Sequence, residues 1–361
     1  MKWITKQIFR VLMVALLFAT TVSYSYTQEV TLGAYYFDGW SGLTQFPHIT
    51  ESLKNDFKDR EPIWGWKTSS EEIMKEQIDV AADAGIDFFS FCWYCSKDPK
   101  ISIPLNRALG FYLESENNKR LQFNVMVANH GVQFAIGPNN WLEVTATWIE
   151  LMKHPQYLKT NGKPIITFFL IPSLIENFGS VKATKIALEE FRNEARKAGV
   201  GELAIASCIE KQTEIEIAKG IGIDILTAYN NHECGVDGDK EEIPMSRLIE
   251  GQEKIWNSYI QSEIPYMPAI TLNWDPRPWK ETKEKKSNFR MYYYVPYNTE
   301  TVREVVSRAI NWVANHPDST TPEKILTMYA WNELGEGGWL TPSKIGGDFL
   351  LKGVTEALNE K

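Results

Sequence analysis

Two carboxylates, Glu333 and Glu336, stand three residues apart in Ala330-Trp331-Asn332-Glu333-Leu334-Gly335-Glu336-Gly337-Gly338-Trp339, with three glycines around them. A pair of this kind suits general acid–base work. Like charges held close do not both ionise readily, so one carboxyl keeps a proton to give while its neighbour accepts. If the segment turns, residues three apart approach to about 5–6 Å, as on a helix, near the roughly 5–5.5 Å between the carboxyl groups of retaining glycosidases. If it is extended they stand about 10 Å apart. An isolated E-x-x-E is ordinarily an exposed acidic turn. This one follows an apolar run and lies among tryptophans, which favours the chemical reading.

Eight tryptophans fall after strand-like runs rather than on helices: Trp40, Trp64, Trp66, Trp93, Trp274, Trp279, Trp331 and Trp339. Trp141, Trp148, Trp256 and Trp312 lie on helical runs and are read as packing. Flat amphipathic rings gathered at one mouth are what sugar rings or flat apolar ligands need. Polar groups at the same run ends are candidates to hold hydroxyls: Tyr36, Asp38, Tyr94, His130, Glu210, Tyr229, Asp275 and Asn332. For His130 a structural, hydrogen-bonded role is as good a reading as ligand contact.

These groups need elements to hold them. From Thr31 onward, apolar strand-like runs alternate with amphipathic helical runs, the pattern of a parallel sheet with crossover helices. The strands are expected at Thr31 to Phe37, Asp87 to Trp93, Gln122 to Asn129, Pro164 to Leu170, Leu203 to Cys208, Asp224 to Tyr229, Tyr266 to Leu272 and Ile325 to Trp331. The first helix is expected to open on a Ser69/Glu72 capping box and stop at Gly85. Others follow at Leu105 to Glu116, Trp141 to His154, Val181 to Lys197, Glu214 to Lys219, Met245 to Gln261, Thr301 to Ala314 and Phe349 to Leu358. For the fifth, Thr213 and Glu216 form a second capping box and Gly220 a stop. Eight pairs without a low-complexity linker predict an α/β fold, a single-domain (β/α)8 TIM barrel. The long connections, one after the first strand, Asn230 to Glu242 after the sixth and Asn273 to Asn298 after the seventh, leave carboxyl ends of strands, where such a barrel builds its site.

Composition narrows the field. Of 361 residues 43% are hydrophobic and 23% charged, which excludes a disordered chain and a multispan membrane protein. With 46 acidic against 38 basic residues the formal net charge is -8, which repels phosphate backbones and argues against nucleic acid as a partner. Lys2, Lys6 and Arg10 precede the apolar run Val11 to Val22, too short to span a bilayer. Residues 1–25 therefore read as a signal peptide and 26–361 as the barrel. The mature protein is expected to be secreted or periplasmic, with no stable membrane insertion after processing. The four cysteines, Cys92, Cys95, Cys208 and Cys234, are too few for a disulfide scaffold. Cys92 and Cys95 end an aromatic strand, where residues three apart lie about 10 Å apart on opposite faces, so they read as structural rather than redox-active. Asp237-Gly238-Asp239 lacks the rest of a calcium loop and reads as solvated. No cofactor or metal is expected.

Several blocks carry a more specific likeness. Trp331-Asn332-Glu333-Leu334-Gly335-Glu336-Gly337, Ala84-Gly85-Ile86-Asp87-Phe88 with Trp93-Tyr94, Lys153-His154-Pro155-Gln156-Tyr157 through Asn161-Gly162-Lys163-Pro164-Ile165, and Asn273-Trp274-Asp275-Pro276-Arg277 belong to a likeness that runs from the first strand to the last. Together they resemble the glycoside hydrolase family 99-like group, relatives of endo-α-mannosidases that also include WbsX-like domains described as glycosyltransferases. The resemblance implies that Glu333 and Glu336 do the chemistry. The first would deprotonate the sugar 2-hydroxyl, which attacks the anomeric carbon, and the second would protonate the leaving oxygen and later activate water, with retention. Leu334-Gly335 stands where the mannosidases carry an aromatic and a His, a departure that bears on sugar specificity. The expected function is an exported retaining glycoside hydrolase cleaving an α-linked glycan, with an oligosaccharide or polysaccharide as partner. The rivals are a noncatalytic glycan-binding protein and a glycan-active enzyme of other chemistry, such as a glycosyltransferase. Export weighs against a donor-dependent transferase, whose activated sugars are cytoplasmic.

Overall fold

A computed structural model describes residues 30–280 and 291–360. The expected signal peptide, and part of the connection after the seventh strand, lie outside the described residues. Eight parallel strands alternate with helices: β1 Thr31–Tyr36, β2 Phe88–Trp93, β3 Gln122–Val127, β4 Lys163–Phe168, β5 Ala204–Cys208, β6 Ile225–Thr227, β7 Ala269–Thr271 and β8 Ile325–Tyr329. Their lateral order is β6-β5-β4-β3-β2-β1-β8-β7. The remaining seam, between β6 and β7, closes through one parallel bridge, Leu226 with Tyr266. Leu226 N donates to Pro265 O at 2.9 Å and Met267 N to Leu226 O at 2.8 Å. The eight-pair expectation therefore holds, as a nearly closed TIM barrel.

Two apolar layers account for it. Inside, Phe88, Ile165, Ala204, Ala206, Ile225, Met267 and Ile325 form a cluster drawn from the strands and their approaches. A Cβ on Gly33 of β1 would fall 2.3 Å from the Phe88 ring, so that glycine makes room for the ring. Outside, the helices bury one stripe each against the sheet. They are α1 Glu71–Asp83, α2 Arg107–Glu114, α3 Trp141–Met152, α4 Val181–Lys197, α5 Glu214–Ile221, α6 Met245–Ser258, α7 Thr299–Asn315 and α8 Phe349–Asn359.

Cap positions differ from the sequence reading in two places. In α1 the N-cap is Ser70, whose hydroxyl accepts from Ile73 N at 3.4 Å. Ser69 instead donates to Asp38 Oδ2 at 3.2 Å, so tertiary contact displaces the cap by one residue. In α5 Thr213 makes no side-chain cap, the Glu214 carboxylate accepts from Glu210 N at 3.0 Å, and the helix runs past Gly220 to a left-handed stop at Gly222 (φ 86°). Among the described residues no helix is long and apolar enough to cross a membrane.

Candidate active site

Beyond β8 the chain makes a short hairpin in which Asn332–Glu333 pairs antiparallel with Gly338–Trp339. The amides of Glu336 and Gly337 both donate to Glu333 O, at 3.1 and 2.9 Å, so the E-x-x-E segment turns rather than extends. Its glycines serve close approach. Gly337 has φ 83°, and a Cβ there would lie 2.8 Å from Asp275 N; a Cβ on Gly335 would lie 2.4 Å from the Trp279 ring.

The turn is tied to the loop after β7. Asp275 N donates to Glu336 O at 2.6 Å, and Asn273 Nδ2 to Gly337 O at 3.1 Å. Arg60, 4% exposed, donates from one guanidinium nitrogen to Leu334 O (2.9 Å) and Asp275 O (3.1 Å), and from the other to the Asp275 carboxylate. Arg277 also grips that carboxylate, at 2.7 and 2.8 Å. Burial would push the Asp275 carboxyl up, but the Arg277 bonds and the Arg60 charge outweigh it and hold the group below the usual carboxylate range. Two cations on one buried carboxylate make a charge-assisted clamp under the glutamate turn.

Glu333 and Glu336 both line a cleft of about 590 Å³. It lies at the carboxyl ends of the strands, since Cys92, Ala128, His130, Phe169 and Tyr229 from the ends of β2, β3, β4 and β6 share the lining. Each carboxylate receives a phenol: Tyr229 donates to Glu333 Oε1 at 2.5 Å and Tyr329 to Glu336 Oε2 at 2.7 Å. Burial first, then the charges of Cys92 and Glu333, pushes the Tyr229 phenol well up. Burial first, then Glu336 and Glu333, does the same to Tyr329. Both therefore remain O–H donors. The Cys92 thiol is likewise pushed up by burial and by Glu333, so it stays protonated beside the cleft and is a poor nucleophile. All four cysteines are free thiols. On the walls, His48 stands edge-on to Trp279 at 5.7 Å, and burial lowers its imidazole to about 4, leaving it neutral. His130 is also pulled down by burial, against a hydrogen bond with the Ala128 backbone.

The family model described as glycosyltransferase WbsX matches residues 64–354. The chain belongs to the WbsX family. A solved structure described as a glycoside hydrolase-like protein superimposes with a TM-score of 0.61 at 16% identity, over 92% of this chain and 95% of that one. The GH99 endo-α-mannosidase from Bacteroides thetaiotaomicron does so with a TM-score of 0.57 at 13% identity, over 91% and 96%. At such identities the likeness shows the fold, a glycoside hydrolase-like barrel. No match is found among curated protein sequences.

Within this WbsX-family barrel the residues singled out from sequence separate into two groups. Tyr94, His130 and Tyr229 line the cleft with the two glutamates, as does Trp279. Glu210 lines an adjoining cleft that shares Phe169, Tyr229 and Asn230 with the first. Trp64 and Trp66 line a third. The expectation that the strand-end tryptophans gather in one open mouth is corrected for the rest. Trp40 is buried with its indole N–H on Asn332 O, and Trp331 with its N–H on Gln77 Oε1. Trp93 packs edge-on against Trp148, and Trp339 against Tyr297. Trp274, 5% exposed, lies flat on His232 with ring centres 3.8 Å apart. Each of these rings is taken up by a partner within the protein rather than left facing the cleft.

Several polar candidates are scaffold too. Tyr36 is buried against Phe89 and Phe91. Asp38 accepts from Ala108 N at 2.6 Å and from Ser69. Asn332 exchanges two hydrogen bonds with the Phe37 backbone, both 2.8 Å, which fixes the hairpin to the end of β1. Asp275 serves the clamp. Tyr329, His48 and Arg60 were not foreseen. Tyr329 reads as one more strand residue, and nothing local marks Arg60. Among the described residues no group of three or more His, Cys, Asp or Glu is arranged to hold a metal, and Asp237 pairs with Arg247 at 3.5 Å.

Proposed function

We propose that this WbsX-family protein is a retaining glycoside hydrolase acting on an α-linked glycan, a mannoside being one candidate, with Glu333 and Glu336 as its reacting groups. The observation that carries the reading is the turn itself. Two carboxylates on one tight turn at the barrel mouth each accept from a phenol, and both line one cleft. In this scheme Glu333 takes the proton of the sugar 2-hydroxyl as that oxygen bonds to the anomeric carbon, and Glu336 gives its proton to the departing glycosidic oxygen. Glu336 then takes a proton from water, which opens the anhydro ring at the anomeric carbon, and Glu333 returns its proton to the 2-oxygen. Two inversions leave the configuration retained. Tyr229 and Tyr329 do not exchange protons in these steps; they fix the carboxyl planes, so little reorganisation remains at the moment of reaction.

The test is to incubate the purified protein with defined mannans, other α-glycans and acidic polysaccharides and to weigh the products. Glu333→Gln and Glu336→Gln should each lower turnover by about two to four orders of magnitude while leaving ligand binding intact; normal turnover in either variant would sink the assignment. The family description favours a second reading, transfer to another sugar. A product longer than the acceptor supplied, formed in preference to free reducing sugar, decides for it. We also infer export from the residues at 1–25, which an N-terminal sequence of the processed protein beginning near residue 26 would bear out.

A further inference from the structure

A further cleft of about 610 Å³ opens beside the glutamates, and the two share Thr44 and His48. Its walls come from the loop after β1, with Trp64, Trp66 and Lys67, and from Lys54 on the short helix Glu51–Asp56. Charge is segregated between the neighbours. The charged side chains lining this cleft are Lys54 and Lys67, whereas those lining the first, its histidines being neutral, are Glu333 and Glu336. On a chain of net charge -8, this wall carries two ammonium groups, and the nearby carboxylates Glu51 and Glu76 are engaged by Lys54 and by the Trp64 indole. Lys54 is partly answered by Glu51 on its own helix. Lys67 makes no ion pair among the described residues, and its stem lies along Gly42, where a Cβ would come 2.8 Å from Lys67 Cε. The bare glycine, held at φ 71°, thus seats the lysine at the rim. The indoles are held as well. Trp64 donates to Glu76 at 2.6 Å, and Trp66 is half-buried against the core.

Indole rings beside the Lys67 ammonium, which has no ion pair among the described residues, match a sugar ring bearing an anionic substituent. The ring's apolar face stacks, and the carboxylate or sulfate pairs with the cation. We infer that this cleft binds an acidic sugar, a uronate or a sulfated residue, of the same glycan whose glycosidic bond lies at Glu333 and Glu336. The inference rests on the hydrolase reading above. The two clefts would then set the register of the chain. The glutamates repel an acidic ring, so a neutral sugar occupies the reacting position and its acidic neighbour lies beside Lys67.

The experiment uses the Glu333→Gln protein, which binds without cleaving, titrated calorimetrically with polygalacturonate and alginate (uronates), fucoidan (sulfated), and mannan and amylose (neutral). At least one acidic polymer should bind more tightly than the neutral ones. That affinity should fall about tenfold or more in a further Lys67→Gln variant and drop steeply between about 50 and 300 mM salt. A Lys185→Gln control, exposed on α4, should leave it unchanged. The uronate and sulfate arms tell which anion is recognised. Equal affinity for acidic and neutral polymers, or no effect of Lys67→Gln, overturns the acidic site. Hydrolysis of a neutral α-glycan by the wild-type protein would in that case leave the proposed activity standing. Acidic binding lost with Lys67, alongside no hydrolysis of any polymer, keeps the site and removes the activity.

Discussion

Arg60 reaches Leu334 O from 274 positions away in sequence, and its planar fork serves three acceptors at once. Lysine keeps a charge beside Asp275 but cannot reproduce that fork. Arg60→Lys should therefore lower turnover about 10- to 100-fold with KM nearly unchanged, because the glutamates lose their seat while the cleft walls remain. A rise in KM alone would make Arg60 part of the binding surface instead. Arg60→Met should in addition cost about 3–5 kcal/mol in chemical denaturation, the usual penalty for stranding a buried partner. Among the aromatics, Trp279→Ala should weaken glycan binding by about 1–3 kcal/mol, the size seen when flat rings lose an aromatic platform. Trp274→Ala should leave the dissociation constant alone and cost about 3–5 kcal/mol in stability. Calorimetric titration beside a melting curve separates the two. Sequence alone places both among the loop tryptophans and favours Trp274 as a sugar platform, because it shows that a tryptophan lies in a loop but not which way the loop faces.

The eight strands and eight helices were legible because their apolar periods are long and regular. What the periods did not show is where each strand leaves the ladder. β3 ends at Val127, two residues short of the apolar run, because Asn129 exchanges bonds with Leu170 at 2.8 and 3.0 Å and draws the exit off the sheet. β6 is shorter still than its run, ending at Thr227 so that Tyr229 can reach Glu333. Such side-chain ties join residues far apart, and a hydrophobicity pattern carries no trace of them. The glutamate turn was legible as residue types, while the clamp beneath it was not. Gly337→Ala tests that clamp at the level of the hairpin. A Cβ at φ 83°, pressed on the Asp275 backbone, should cost about 1–3 kcal/mol and cut turnover more deeply than a substitution of equal stability cost on α4. Equal losses of stability and activity in the two would mean that the turn tolerates displacement.

For the molecule as a whole, one buried and one half-buried group pull stability in opposite directions over the same pH interval. Burial raises the Asp38 carboxyl from 3.8 to about 7, against the bonds from Ala108 and Ser69. The folded chain then binds more protons than the unfolded one across that interval, so this group removes stability as pH rises through it. Burial lowers the His48 imidazole from 6.5 to about 4. The unfolded chain then binds the extra proton, and this group removes stability as pH falls through its interval. The two slopes offset one another, and wild-type stability should vary little between about pH 4 and 6.5 on their account. Asp38→Asn keeps the acceptor for Ala108 N and removes the ionisation. Its stability should climb with pH across that window and exceed wild type at pH 7 by on the order of 1–3 kcal/mol. Urea titrations at three pH values read this directly, and a parallel offset at every pH would remove Asp38 as the cause.

The vacancy at Gly335 has a consequence for lineage. The Trp279 ring occupies the volume that a side chain at 335 would need, so the wall beside the glutamates can be furnished from the turn or from the loop after β7, but not from both. Leu334-Gly335 stands here where the resemblance to endo-α-mannosidases would put an aromatic and a His. Positions 279 and 335 should therefore trade bulk across kindred sequences, an indole at one requiring hydrogen at the other. A lineage crossing between the two arrangements must change both sites, and the intermediate with two large groups would have its wall forced into the cleft.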